Sequence, residues 1–463
     1  AEYCSRVSIM VDGRIRAIDM YTLSNTGAFG EHGPTTVGLS GHKAISLYGR
    51  LEAHRFAYDV VYTNMQAAGA YRGYGATQGI FAVESAADEL AHKMGMDPVK
   101  FRELNMPMEG EALPGYPDVP INGSCTMDKC LARAKEMIGW DEKYPCKDMG
   151  NGKVRSVGVA MAMQGSGISN CDVGSVTLKV NDDGFYSLMV GCTDMGTGCD
   201  TILAQMAADC LDCDVENIIV SGVDTDVSPY DCGSYASSTT YITGMAVVKT
   251  AEELRKKICR NGAEILGVPE EDAEFDGQRV FVPGGPEVSL KDIANKAMCN
   301  NTHELEVTKQ HSSPVSPPPF MVGMVEIELD KVTGKYDIID YVAVVDCGTV
   351  INPNLARVQT EGGLVQGIGM AMYEDVIYGS DGKNYTSSFM QYKIPTRLDM
   401  GNLRVEFESS YEPTGPFGAK SIGEIVINTP SPAIAHAVYN ATHVWIRELP
   451  VTPEKIWKGM HEQ

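Results

Sequence analysis

The stretch MVEIELDKVTGKYDIIDYVAVV, residues 324–345, decides the fold class. Apolar and polar residues alternate on both sides of a central Thr-Gly. That is the period-two pattern of a strand folded back on itself, with Gly supplying the positive φ of a tight turn. VSIMVDGRIRAIDM (7–20) and GSVTLKVNDDGFYSLMVG (174–191) repeat the device around Asp-Gly. Helices accompany the hairpins. In QGIFAVESAADELAHKMG (78–95), Ile80, Val83, Ala87, Leu90 and Met94 recur at three- and four-residue steps, and Gly95 can end the helix. CDTILAQMAADCL (199–211), GMAVVKTAEELRKKI (244–258) and PSPAIAHAVYNATHVWI (430–446) read the same way, the last with Pro in its first turn. Hairpins mixed with helices, rather than a run of βαβ units, predict an α+β class. The polar WDEKYPCKDMGNGK (140–153) and the Pro-rich KQHSSPVSPPPF (309–320) mark boundaries.

Composition narrows the function. The 463 residues are 43% hydrophobic and 21% charged, ordinary for a soluble globular chain of about two to four domains. No apolar run approaches the ~18 residues that span a bilayer. The start, AEYCSRVSIMVDG, lacks the charged and apolar regions of a signal peptide. It also lacks Met and opens in a strand pattern, which predicts a processed or separated piece of something longer. A net charge of −23 without clustered Lys and Arg excludes nucleic acid as a partner. The acidity reads as a solvated surface. Thirteen cysteines, odd in number and scattered through a large chain, predict free thiols in a reducing, cytoplasmic compartment. Cys210 and Cys213 form a lone C-x-x-C, and Cys125 and Cys130 gain no further ligands nearby, so no metal–thiolate site is expected.

Four loops rich in Gly and small polar residues carry the chemical signal: GAYRGYGATQG (69–79), GCTDMGTGCDT (191–201), CGSYASSTTYITG (232–244) and EPTGPFGAKSIGE (412–424). Gly lets a backbone approach a ligand closely, and the second and third loops lead into helix N-termini suited to anions. Taken alone, each of these two loops reads first as a tight turn with a helix cap. The spacing G-x-G-x-x-x-G at 73–79, with no strand before it, is not a dinucleotide fingerprint.

Taken together, the loops support a resemblance. GAYRGYGATQG resembles the A-[FY]-R-G-[FY]-G-x-x-Q loop of the xanthine oxidase / aldehyde oxidoreductase family of molybdenum hydroxylases. GCTDMGTG is similar to its G-x-x-[DE]-x-G-Q-G segment, and VVDCGTVINPNLARVQTEGGLVQGIG (344–369) to its D-x-G-x-x-x-N-P…Q-x-x-G segment. FGAKSIGE resembles its G-x-K-x-x-G-E loop, and INTPSPAIAHAVYNAT the helix that follows. Several motifs in the right order are more specific than any one. They cover the later part of the family's large subunit. Nothing here corresponds to its small N-terminal domain, the first half of its cofactor domain or its iron–sulfur cysteines. The resemblance implies that residues 1–145 are the second half of the first molybdenum-cofactor-binding domain. It implies that 146–463 are the second such domain, with a sub-boundary near 309–320. It further implies molybdenum with molybdopterin cytosine dinucleotide or molybdopterin, and a companion chain carrying the N-terminal half. Iron–sulfur clusters and FAD are expected on partner chains, the substrate is a small molecule, and no membrane is involved.

In that family a molybdenum held by a pterin dithiolene bears a hydroxide, an oxo and usually a sulfido group. A glutamate deprotonates the hydroxide, the oxygen attacks an electron-poor carbon, and hydride passes to the sulfido group. Carried over, Glu424 is the base, held in a fixed direction by a Gly/Pro-stiffened loop that includes Lys420 and Gly423. Ala70, Tyr71, Arg72 and Gly73 match the loop passing the metal and pterin, with the Arg72 backbone near molybdenum; Arg72 is equally a structural ion-pair residue. Tyr74 matches an aromatic flanking substrate. Met195, Gly196, Thr197 and Gly198 match a cofactor loop in which Thr197 replaces the usual Gln. Ala236, Ser237, Ser238 and Thr239 match the stretch holding pterin and phosphate, and Gln359 matches a pterin-binding Gln, while Gln78 reads as structural. Ser166 and Gly167 stand where the family has bulkier substrate-clamping residues, implying a more open pocket. His42 falls near the substrate-binding Arg of purine oxidisers, and no Arg stands there. Asp224 and Asp226 read as a solvated turn. The implied activity is hydroxylation of an N-heteroaromatic, purine- or nicotinate-like, or of an aldehyde carbon. CO oxidation is disfavoured because the metal loop has no Cys. Reductive dehydroxylation of an aromatic thioester, a non-catalytic cofactor scaffold and a nicotinamide-dependent dehydrogenase are the alternatives.

Overall fold

The computed structural model describes residues 2–9, 12–119, 121–299 and 305–462, and for 2–9 the backbone alone. The chain forms two compact units, neither of them a contiguous stretch. The first takes residues 1–164, 317–411 and 422–463; the second takes 165–316 and 412–421.

The first unit is built on a five-stranded sheet of order Asn402–Phe407, Tyr336–Asp346, Phe320–Asp330, Lys153–Met163, Cys146–Gly150. The hairpin expected at 324–345 is its centre, pairing antiparallel from Phe320↔Asp346 to Leu329↔Tyr336. Phe320–Ile327 and Tyr341–Asp346 are buried without a break, because central strands covered on both faces lose the outward polar set. The helix Pro430–Thr442 packs on Lys153–Met163 closely enough that a Cβ on Gly158 would lie 2.0 Å from the Ala433 carbonyl oxygen. That helix is apolar nearly all round and almost wholly buried, as a core helix must be. Beneath it, Arg102 meets Glu84 at 2.8 Å and Asp88 at 2.7 Å, with all three side chains hidden from solvent. The Asp88 oxygen lies outside hydrogen-bonding direction.

A three-stranded sheet completes this unit. Glu2–Ile9 pairs antiparallel with Ile15–Gly27, the hairpin expected at 7–20, whose residues 10 and 11 lie outside the described residues. Ile15–Gly27 then pairs parallel with Ala53–Tyr62 across the helix Gly33–Ile45. The same arrangement occurs twice more. In the second unit, the hairpin Gly174–Val180/Tyr186–Val190 is followed by the helix Cys199–Leu211 and the parallel strand Ile218–Ser221. In the first unit, the 324–345 hairpin is followed by the helix Pro353–Met372 and the parallel strand Asn402–Phe407. Each predicted hairpin thus opens a strand–strand–helix–strand module, and a strand-to-helix turn recurs at 28–32, 191–198 and 347–352.

The second unit adds the strand Glu306–His311 to the edge of its hairpin, a small sheet of Glu274–Phe275, Arg279–Phe281 and Glu287–Ser289, and the long helix Gly244–Leu266. The helix expected at 244–258 therefore runs two turns further, to a left-handed Gly267. The helix expected at 430–446 stops at Thr442, where His443 turns left-handed.

Candidate functional site

In the first unit, the loop 69–75 is fixed by glycine geometry. Gly73 has φ +88, and a Cβ there would lie 2.2 Å from Thr77 Oγ1 and 2.8 Å from Asn428 Oδ1. Thr77 Oγ1 donates to that same Asn428 oxygen at 2.8 Å. The Gly73 carbonyl accepts from Gln164 Nε2 at 3.1 Å. Ala70 and Tyr71 are exposed on the outer part of the loop.

Arg72 turns inward. Its Nε donates to the Gly423 carbonyl at 2.6 Å, and Nη2 donates to Gln359 Oε1 at 3.2 Å. Nη1 is 3.5 Å from Gln366 Oε1. Burial lowers the Arg72 pKa from its ordinary value, and the charge of Glu424 works against that fall. Arg72 therefore ties the 69–75 loop both to the helix Pro353–Met372 and to the residue before Glu424. Gln359 and Gln366 share this guanidinium because they stand two turns apart on one helix, which Asn352 caps by accepting from Leu355 N at 3.1 Å.

Glu424 is half-buried at the start of the short turn Ile425–Ile427, whose residues are fully buried. That turn lies against the glycine face of the same helix. A Cβ on Gly363 would lie 2.2 Å from Val426 Cγ2, and one on Gly367 would lie 2.7 Å from the Ile427 carbonyl oxygen. The glutamate is thus set by two contacts: Arg72 on its preceding carbonyl and a helix face stripped of side chains.

Lys43 is the cation that the sequence reading passed over. It is one residue from His42, which instead packs edge-on to Phe56. Lys43 is 4% exposed; its Nζ donates to Tyr116 Oη at 2.7 Å and sits 4.0 Å above that ring. Burial pushes its pKa down to about 8, opposed by the charges of Asp118 and then Glu424. A cavity of about 240 Å³ opens beside Tyr71 and Arg72, with Gln78, Glu374 and Tyr392 in its wall.

In the second unit, Ala236 and Ser237 both take positive φ, +49° and +58°, a costly pairing for residues with side chains. They precede the π-helical turn Thr239–Thr243, which runs directly into Gly244–Leu266. Gly167 N donates to the Ala236 carbonyl at 3.0 Å, joining the 166–167 and 236–239 segments. Ser166 is buried: its N–H donates to Ser316 Oγ at 3.0 Å and its hydroxyl is 3.1 Å from Ser421 Oγ. Lys420 is buried beside Ser421. In the 191–198 loop, Asp194 Oδ1 accepts from the backbone N–H of Gly196, Thr197 and Gly198 at 2.9, 2.9 and 3.1 Å. The loop amides that lead into Cys199–Leu211 are therefore taken by the loop's own carboxylate, while Met195 projects with 65% exposure. Asp224 Oδ1 accepts from Asp226 N at 3.0 Å in an exposed turn.

Two buried polar atoms near the 69–75 loop make no hydrogen bond among the described residues: Gln164 Oε1, an acceptor, and Asn428 Nδ2, a donor. Left so, each costs about 1–3 kcal/mol. A heterocycle that both donates and accepts fits this set, and a pterin is such a group. The 344–369 motif contains Gln366, and Gln164 opens the QGSG that holds Ser166. Asn428, within INTPSPAIAHAVYNAT, is legible only once Thr77 and Gly73 are seen against it.

Models described as molybdopterin cofactor-binding domains match residues 2–106 and 133–401. A protein named probable hypoxanthine oxidase in Escherichia coli K12 is 35% identical over 97% of this chain and 48% of its own length. The xanthine dehydrogenase molybdenum-binding subunit of E. coli O157:H7 is 33% identical over 97% of this chain and 61% of its own. Among solved structures, quinoline 2-oxidoreductase from Pseudomonas putida 86 superposes with a TM-score of 0.91 at 25% identity, covering 99% of this chain and 62% of that one. The chain spans about half to three fifths of the length of the relatives it matches. It belongs to the molybdopterin cofactor-binding domain family, in the form carried by molybdenum hydroxylase large subunits.

Proposed function

We propose that this chain is the molybdenum-cofactor portion of an oxidoreductase that inserts water-derived oxygen at an electron-poor C–H of an N-heteroaromatic substrate. The names of its relatives, which refer to hypoxanthine, xanthine and quinoline, support that class. The cofactor, when bound, supplies the oxygen transfer and takes up the electron pair. A companion chain with the N-terminal half of the large subunit and partners bearing iron–sulfur clusters and flavin complete the proposed assembly.

The chain's own residues have these proposed roles. Gln164, Gln359 and the backbone of 70–73 hold the pterin, with the Arg72 backbone beside the metal. Met195–Gly198 and Ala236–Thr239 hold its phosphate-bearing part, with Asp194 shaping the first of these loops and Lys420 supporting from the glutamate loop. Glu424 accepts a proton on its carboxylate, and Tyr74 flanks the substrate ring. Ser166 and Gly167 back the substrate pocket with small side chains.

The observation that carries this reading is the clamp from Arg72 onto the Gly423 carbonyl, which fixes the backbone from which the half-buried Glu424 side chain extends. A general base contributes roughly 10²–10⁴-fold in rate. Glu424→Gln should leave molybdenum and pterin content unchanged and lower turnover by at least about a hundredfold. Retained turnover in a fully loaded variant refutes the assignment.

A further inference from the structure

Tyr74 is gripped from two sides. Its Oη lies 2.7 Å from His32 Nδ1 and 2.7 Å from Thr35 Oγ1, both at the N-terminal end of the helix Gly33–Ile45. The imidazole meets the phenol edge-to-face, with centroids 5.7 Å apart and planes at 82°. The backbone is pinned to the same place. Tyr74 has φ +29, unfavourable for a residue with a side chain, and Gly75 follows at φ +84. A Cβ on Gly75 would lie 1.8 Å from the Thr36 carbonyl oxygen, so only glycine lets the loop sit on that turn. His32 stands at the strand-to-helix turn of the first module, the place held in the other two modules by the 191–198 and 347–352 loops. An aromatic that merely filled space would need neither polar partner.

We infer that His32 and Thr35 are positioning residues for substrate: they fix the Tyr74 ring as a stacking wall and its hydroxyl as a polar mark. Together these favour flat heteroaromatic substrates bearing a hydrogen-bonding ring or exocyclic group. A phenol hydroxyl has one proton and two lone pairs, so His32 and Thr35 occupy two of its three hydrogen-bonding positions and leave one for the ligand. Rotation about the ring bond is removed by the same two contacts, so the remaining position points one way. The inference rests on the proposed placement of Tyr74 at the substrate.

The test is steady-state kinetics on the molybdenum-loaded complex with hypoxanthine, quinoline and nicotinate, using whichever is turned over fastest. Variants are Tyr74→Phe, His32→Ala, His32→Gln, Thr35→Val and the double variant His32→Ala/Tyr74→Phe, each checked for molybdenum content and melting temperature. His32→Ala, Thr35→Val and Tyr74→Phe should each raise KM roughly three- to tenfold, the size of one lost hydrogen bond, with kcat changed less than about twofold. His32→Gln should recover much of the loss. The double variant should be no worse than Tyr74→Phe alone, since both remove one coupled interaction. An unchanged KM in His32→Ala and Thr35→Val, or additive losses in the double variant, overturns the inference. If Tyr74→Ala also leaves KM unchanged, the placement of Tyr74 fails with it. Turnover of none of the three probes overturns both. Turnover retained in Glu424→Gln alongside the predicted KM pattern removes only the base assignment.

Discussion

The guanidinium of Arg72 meets acceptors from two separate segments, the Gly423 carbonyl and the side chains of Gln359 and Gln366. Nothing in GAYRGYGATQG foretells those partners, which lie more than 280 positions away in sequence. From sequence, Arg72 fits a cofactor loop and a structural ion pair alike. Its side chain donates to a carbonyl and to the amide oxygen of Gln359, and it also feels the charge of Glu424. Lysine keeps the charge and loses the fork. Arg72→Lys should reduce turnover roughly ten- to hundredfold, as expected for a charge-assisted hydrogen bond worth about 1.5–3 kcal/mol. Kinetics on loaded enzyme check this, and unchanged kcat contradicts it. Lys43 makes a prediction of a different kind. Its pKa, about 8 when folded, lies below the ordinary lysine value. Between those two values the unfolded chain holds more protons, so the Lys43 contribution to stability rises with pH across that window. Below pH 8 the full burial penalty applies. Lys43→Met should therefore stabilise the protein at pH 7, by at most about 3 kcal/mol, and the advantage should shrink towards pH 10. Urea unfolding at both pH values measures it; an advantage that grows with pH contradicts the assignment.

Among the elements, the helix Pro353–Met372 is the one that sets the glutamate. Its sequence, PNLARVQTEGGLVQGIGMAM, places Gly363 and Gly367 one turn apart, and the turn Ile425–Ile427 occupies the face they leave open. Gly362 points elsewhere and has no atom within 4 Å of an added Cβ. Gly367→Ala should therefore displace the turn and lower both activity and stability, the latter by about 1–3 kcal/mol. Gly362→Ala should be neutral or stabilise by up to about 1 kcal/mol through helix propensity. Thermal melts and kinetics of the pair check this, and equal effects from the two contradict it. The hairpins were legible because alternation and a central Gly write a strand pair into local sequence. The parallel third strands were not. Asn402–Phe407 and Ile218–Ser221 are short and partly exposed, and their partners lie beyond any local window. The π-helical turn at Thr239–Thr243 was equally hidden, since neither propensity nor spacing distinguishes it from an ordinary helix start.

At the scale of the whole molecule, three copies of one module and two units interleaved along the chain account for why a linear reading finds the loops but not their neighbours. Glu424 and the glycine loops were readable as motifs. The unpaired atoms of Gln164 and Asn428, the buried Lys43 and the His32–Thr35 grip on Tyr74 were not, because each depends on burial or on a partner from another segment. Among the described residues no helix is long and apolar enough to cross a membrane. The family match to 133–401 stops short of Glu424, so the role proposed for that residue rests on its loop motif and on the geometry around it. In the proposed function, glycine-shaped turns and buried polar atoms of this chain hold a molybdenum–pterin group. The most direct test is elemental and nucleotide analysis of the complex purified with its companion chains from cells that make the cofactor. Close to one molybdenum and one pterin per copy of this chain are expected, with a cytosine nucleotide released on acid hydrolysis. Folded complex carrying neither metal nor pterin would contradict it.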